Sequence, residues 1–195
     1  MKGFTLLELM LGFSIILVIV AAAGLFSGNV LNLNNIFKGT LETREEAGQT
    51  LQAMVTEIRS LAPSNIGGYP IEAAASSSLV FFSDIDTDGL FERVRYFVDG
   101  NNLKKGTVKP TGSPLTYNPG NEIITEQIHN LILTASSTFS YYDANYTGIE
   151  PPLVFPVNTS LIRTIGVRIA AQKQNQGAPS SFTIQVTPRN LRSNL

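Results

Sequence analysis

Three carboxylates stand at alternate positions in Asp84-Ile85-Asp86-Thr87-Asp88-Gly89. That spacing lets a loop fold its oxygens around one calcium ion, with the glycine making the sharp turn. Counted from Asp84, an EF-hand loop needs a bidentate glutamate at the twelfth position, where this chain has Arg95; Glu92, at the ninth, is an additional oxygen source. The same residues also suit a polar hairpin turn, because Asp-Gly is favoured there for backbone reasons alone. Calcium site and plain turn are both consistent with the spacing. A fourth carboxylate, Glu8, is isolated in an apolar run, and from Leu9 to Phe37 no charged residue follows. A charge deep in a bilayer costs on the order of 2.5–3.5 kcal/mol on insertion scales, which makes Glu8 a functional candidate. The ordinary alternative places it at the membrane edge among lipid headgroups.

Other chemistry is poorly supplied. The chain of 195 residues has no cysteine and one histidine, His129. Disulfides are excluded, and few ligands remain for zinc or iron. No G-x-S-x-G elbow and no phosphate-cradling G-x-x-x-x-G-K-[ST] occurs, so His129 reads as a surface or edge residue and no enzyme is expected. The net charge of −1 shows no strongly basic character, and direct nucleic-acid binding is not expected. Asn145-Tyr146-Thr147 and Asn158-Thr159-Ser160 fit the glycosylation sequon, a pattern common by chance. Tyr141, Tyr142 and Tyr146 suit either an exposed patch or core and loop anchoring.

These groups must be positioned by two kinds of element. The run Phe4–Phe26 would cover roughly 34 Å as a helix, enough for a hydrocarbon core of about 30 Å. Behind it, Ser27 to Asn35 holds Gly28 and several asparagines, poor helix formers that predict a soft spot; Gly24 and Gly28 also form a G-x-x-x-G pair. From Thr40 the pattern turns amphipathic, with Ala47, Leu51, Met54, Val55, Ile58 and Leu61 on one face and Glu45, Glu46, Gln49, Gln52, Glu57 and Arg59 on the other. Pro63 and Gly67-Gly68 end it. Strands are predicted at Leu79–Phe82, Phe91–Val98, Ser137–Tyr142, Ile165–Ile169 and Phe182–Val186, with a turn at Asp99-Gly100-Asn101-Asn102. Ile123–Leu133 is ambiguous between helix and strand, 107–120 and 143–160 read as loops, and 172–181 as a hairpin tip. A long helix followed by strands predicts an α+β fold, the helix packed on an antiparallel β-sheet.

Gly3-Phe4-Thr5-Leu6-Leu7-Glu8, preceded by Lys2 and followed by the apolar run, resembles the processing site of type IV prepilins and pseudopilins. The resemblance implies that prepilin peptidase cuts after Gly3 and methylates the new amine of Phe4. It implies that Glu8, fifth after the cut, pairs with the N-terminal amine of a neighbouring subunit and sets the axial register. The organisation expected is a leader (1–3), a transmembrane and filament-core helix (4–28), an amphipathic continuation (29–62) and a β-rich pilin-like domain (63–195). The partners implied are the peptidase, other pilin or pseudopilin subunits and the inner membrane, with the domain extracytoplasmic. Phe91 to Tyr96, Phe139 to Asp143 and Arg189-Asn190 look like minor pilins of the type II secretion J and type IV pilus W kind. Two other readings are a secretory signal peptide cut near Ala21-Ala22-Ala23 and a membrane-anchored adhesin or ligand-binding module.

Overall fold

Helix α1, Leu6–Arg59, begins where Thr5 and Glu8 cap each other. Glu8 N–H donates to Thr5 Oγ1 at 3.3 Å, and Thr5 N–H donates to Glu8 Oε2 at 3.0 Å. Two amides that lack intrahelical partners are thereby satisfied. The computed structural model describes residues 3–129, 138–171 and 180–191, with 26–43, 171 and 180 described by backbone alone. Over its 54 residues α1 is continuous, about 81 Å long at 1.5 Å per residue. The expected soft spot at 27–35 does not interrupt it. Once a helix is nucleated on both sides, each added residue contributes a hydrogen bond, which offsets a few poor formers. The helix closes at Arg59, so Leu61 lies just past its C-cap, Ser60, and is still fully buried.

Eight strands follow in two sheets. β1 (Ile71–Ala74), β2 (Ser78–Ser83), β3 (Glu92–Asp99), β4 (Asn102–Val108) and β5 (Ile123–Ile128) form an antiparallel meander in that order. β6 (Phe139–Tyr142), β7 (Thr164–Ala171) and β8 (Ser180–Val186) form a second antiparallel sheet. The single sheet expected is thus two. Strand β6 docks on the β1–β2 turn and does not extend the meander at β5. Phe139 N–H donates to Ser76 O at 2.9 Å, and the buried Tyr141 hydroxyl donates to Ala75 O at 2.9 Å and Ser78 O at 3.1 Å. The ambiguous stretch resolves as strand over Ile123–Ile128; its remainder beyond His129, and the hairpin tip at 172–179, lie outside the described residues. β1 had no clear sequence signal.

Alternation decides which side chains face α1. Val94 and Tyr96 of β3 are buried, while Arg93 and Arg95 point away to Glu72 and Glu122. The β3–β4 turn has Gly100 at φ +57°, at the first central position of a two-residue hairpin loop. Gly106 in β4 leaves room for Glu122, which Arg95 grips by two bonds of 2.8 and 2.6 Å; a Cβ there would collide with that carboxylate. One core joins Ala47, Leu51, Met54 and Ile58 of α1 to Leu79, Phe81 and Leu103 of the meander and Phe139, Ile165, Val167 and Val186 of the second sheet.

Glu57 departs from its expected place on the solvated face. Its carboxylate accepts from the Tyr96 hydroxyl at 2.9 Å and from Lys105 Nζ at 2.6 Å, between helix and sheet. Side-chain exposure is only 15% for Glu57 and 14% for Lys105. Burial, and then the Glu57 charge, push the Tyr96 hydroxyl far above its usual range, so it stays a donor. Removing one partner of such a cluster strands the others. Glu57→Ala is expected to lower stability by about 3 kcal/mol, and Tyr96→Phe by about 1 kcal/mol, measured by denaturant titration of the full chain in detergent.

Candidate functional site

From Leu9 to Leu25 the side chains of α1 are apolar on every side except at Ser14. Leu6–Leu25 has a mean hydropathy of 2.6 over 20 residues, and none of it is buried against the other described residues. At 1.5 Å per residue it spans about 30 Å, long and apolar enough to cross a membrane. The one hydroxyl within Leu6–Leu25 is satisfied internally, Ser14 Oγ donating to Met10 O at 2.6 Å. From Ala47 onward the same helix buries one face only. A single rod thus carries an uncovered surface and a covered stripe in series.

Glu8 lies in the first turn of this rod, exposed. Its Oε2 takes both Thr5 N–H and Thr5 Oγ1–H, the latter at 3.2 Å. Sequence reasoning missed this pairing. Its signal was present: a threonine followed three residues later by glutamate, ahead of an apolar run, is a capping box. The cap gives Glu8 a local structural job that needs no partner molecule. Gly3 and Phe4 precede the helix in the exposed segment, with Phe4 87% exposed.

The acidic loop does gather its carboxylates. One oxygen each from Asp84, Asp86 and Asp88 lie within 4.8 Å of one another. Asp84 accepts from the backbone N–H of Asp88 at 3.2 Å and of Gly89 at 3.0 Å, and Asp88 Oδ1 accepts from Leu90 N–H at 2.9 Å. Thr87 at φ +61° and Gly89 at φ +86° fold the loop back. Lys109 Nζ, from the segment after β4, sits on Asp86 Oδ2 at 2.8 Å and also pairs with Asp88. That contact, then the Leu90 amide, holds the Asp88 carboxyl below its usual range, and the two aspartates hold the lysine well above its own. Beneath the loop Glu92 is buried, its Oε2 accepting from Ile85 N–H at 3.0 Å. Arg95, at the twelfth position, is committed to Glu122 and points away.

The remaining candidates fall into structural places. Tyr141 is core, whereas Tyr142 and Tyr146 stack at 4.0 Å with Gln185 on the Tyr146 hydroxyl. Asn158 caps a short 3-10 turn through Ser160 N–H. Asn190 donates to Leu61 O at 2.8 Å, tying the late Arg189-Asn190 pair to the end of α1. No protein-family model matches the chain, and no curated protein matches it either.

His129 bridges helix and sheet edge. Its Nδ1 is 2.8 Å from Glu46 of α1, and its Nε2 is 3.0 Å from Glu126 of β5, which also neighbours Lys104 at 3.5 Å. The bond to Glu46, aided by the charges of Glu46 and Glu126, raises the imidazole above its ordinary 6.5. A raised folded-state value means the contribution is complete below pH 6.5 and fades as pH climbs through the higher folded value. The melting temperature should therefore fall as pH rises from about 6 to about 8, and His129→Gln should flatten that dependence in thermal melts.

Proposed function

We propose that this chain is a type IV pilin-like subunit, a minor pilin or pseudopilin, that assembles through α1. One coincidence carries the reading. The motif Gly3-Phe4-Thr5-Leu6-Leu7-Glu8 runs directly into a 20-residue apolar helical surface that the described residues leave uncovered. Covering such a surface is worth on the order of 20 kcal/mol, counted at roughly 1.5–3 kcal/mol per large apolar side chain. A bilayer supplies that cover first, and the packed helices of neighbouring subunits supply it afterwards. Transfer between the two costs little apolar burial, which is what a reversible, membrane-fed filament requires.

In this reading prepilin peptidase cuts after Gly3 and methylates Phe4. The subunit waits in the inner membrane with its β-rich domain outside, then enters a pilus or pseudopilus. The capping box is compatible with the cut, since Thr5 N–H is an amide before and after it. Because Glu8 spends Oε2 on Thr5, Oε1 is left to meet an amine. A methylated ammonium at Phe4 and the carboxylate at Glu8 would each be costly alone in an apolar filament core and far less so together.

The test is a Glu8→Ala variant expressed beside the other subunits. Mass spectrometry of the wild-type chain should find methylated Phe4 as the first residue. The variant should still reach the membrane, while its incorporation into filaments drops by about a hundredfold or more, the equivalent of one stranded buried charge. Undiminished incorporation with alanine at this position rules out the register role.

A further inference from the structure

Assembly through α1 leaves the buried Glu92 carboxylate unexplained. Glu92, the first residue of β3, is 2% exposed and shares the helix-facing side of the sheet with Val94 and Tyr96. Ile85 N–H, from inside the acidic loop, holds one of its carboxylate oxygens. The other, Oε1, is buried and has no partner among the described residues. Buried carboxylate oxygens are almost always paired, because leaving one bare forfeits its hydration for nothing in return. Burial, and secondarily the nearby Asp86 charge, raise the Glu92 carboxyl above its usual range. Glu92 thus lies against the backbone of the loop that gathers Asp84, Asp86 and Asp88, and the cation on those aspartates, Lys109, is a side chain 45% exposed and anchored outside the loop.

We propose that the Asp84–Glu92 hairpin binds a calcium ion, with carboxylate oxygens of Asp84, Asp86 and Asp88 as ligands and Glu92 Oε1 reaching the ion through a water molecule. Ligands of one calcium ion, at 2.3–2.6 Å from it, stand no more than roughly 5 Å apart, a limit that the three aspartate oxygens, all within 4.8 Å of one another, satisfy. Leu90 holds the seventh position of the loop, where this class of site uses a backbone carbonyl. Lys109 acts as a tethered competitor that the ion displaces. The twelfth-position glutamate is missing, replaced by Arg95. Affinity should then fall in the weak class of extracellular calcium modules, with Kd on the order of 10⁻⁴–10⁻³ M. This site does not depend on filament assembly and can be tested without it.

The experiment uses the full chain in detergent, stripped with a chelator and titrated with calcium chloride while heat and melting temperature are followed. Calcium at a few millimolar should raise the melting temperature by several degrees, and chelation should reverse the rise. The Asp86→Asn/Asp88→Asn double variant should lose the response. Glu92→Gln should weaken binding several-fold while leaving the ion-free protein at least as stable, since it removes a buried charge. Lys109→Met should tighten binding several-fold. Absence of heat and of any melting shift in the wild-type chain overturns the site. So does a full response in the double variant, which would place the ion elsewhere. An equal shift with magnesium chloride overturns the assignment to calcium.

Discussion

The continuity of α1 is the constraint on which the rest of the molecule depends. One rod of 54 residues carries two surfaces with opposite requirements. Its first 20 residues are apolar apart from Glu8 and Ser14 and are left uncovered by the other described residues, and its last turns present a single apolar stripe to two sheets. Because backbone hydrogen bonding is internal to the helix, the rod passes from one environment to the other without exposing an unpaired amide. The capping box at Thr5 and Glu8 extends that economy to the first turn, and Ser60 with its bonds back to Thr56 and Glu57 closes the other end.

The domain holds the rod by apolar packing and by a few polar seams at the helix–sheet boundary. Thr50 donates to Gln127 O, Glu46 meets His129, Ser60 meets Ser83, and Glu57 joins Tyr96 to Lys105. Each seam fixes a rotation and height of the helix that apolar contacts alone would leave loosely specified. Asn190 adds a fastening at the end of the chain's described part, on the carbonyl of Leu61. The acidic hairpin lies at the same end of the sheet, next to Ser83 and Glu92. An ion there would stiffen the edge of the domain near the helix C-terminus, far along the rod from the apolar half.

Much of this was legible in the residues themselves. Periodicity of three and four marked Ala47 to Ile58 as a buried stripe, and alternation marked Val94 and Tyr96, Ile165 and Val167. These signals survive because side-chain direction follows backbone period whatever the neighbours are. The apolar run of α1 and the three spaced aspartates were likewise visible, since they depend on local composition and spacing. The Thr5–Glu8 cap is equally local, since a threonine and a glutamate three residues apart ahead of an apolar run suffice to form it.

What only the tertiary structure decided was pairing. Whether β6 continues the meander or begins a second sheet turns on Tyr141 and Phe139 reaching the β1–β2 turn, more than sixty residues away in sequence. Glu57 looks solvated because its helix position is polar-facing, and it is half-buried because Tyr96 and Lys105, on two different strands, close over it. Glu92 reads in sequence as a minor member of the acidic motif, and only the fold buries it and leaves one of its oxygens without a partner among the described residues. A sequence specifies the direction of each side chain locally, through backbone geometry; the partner it meets there depends on contacts between distant segments, which form only when the chain has folded.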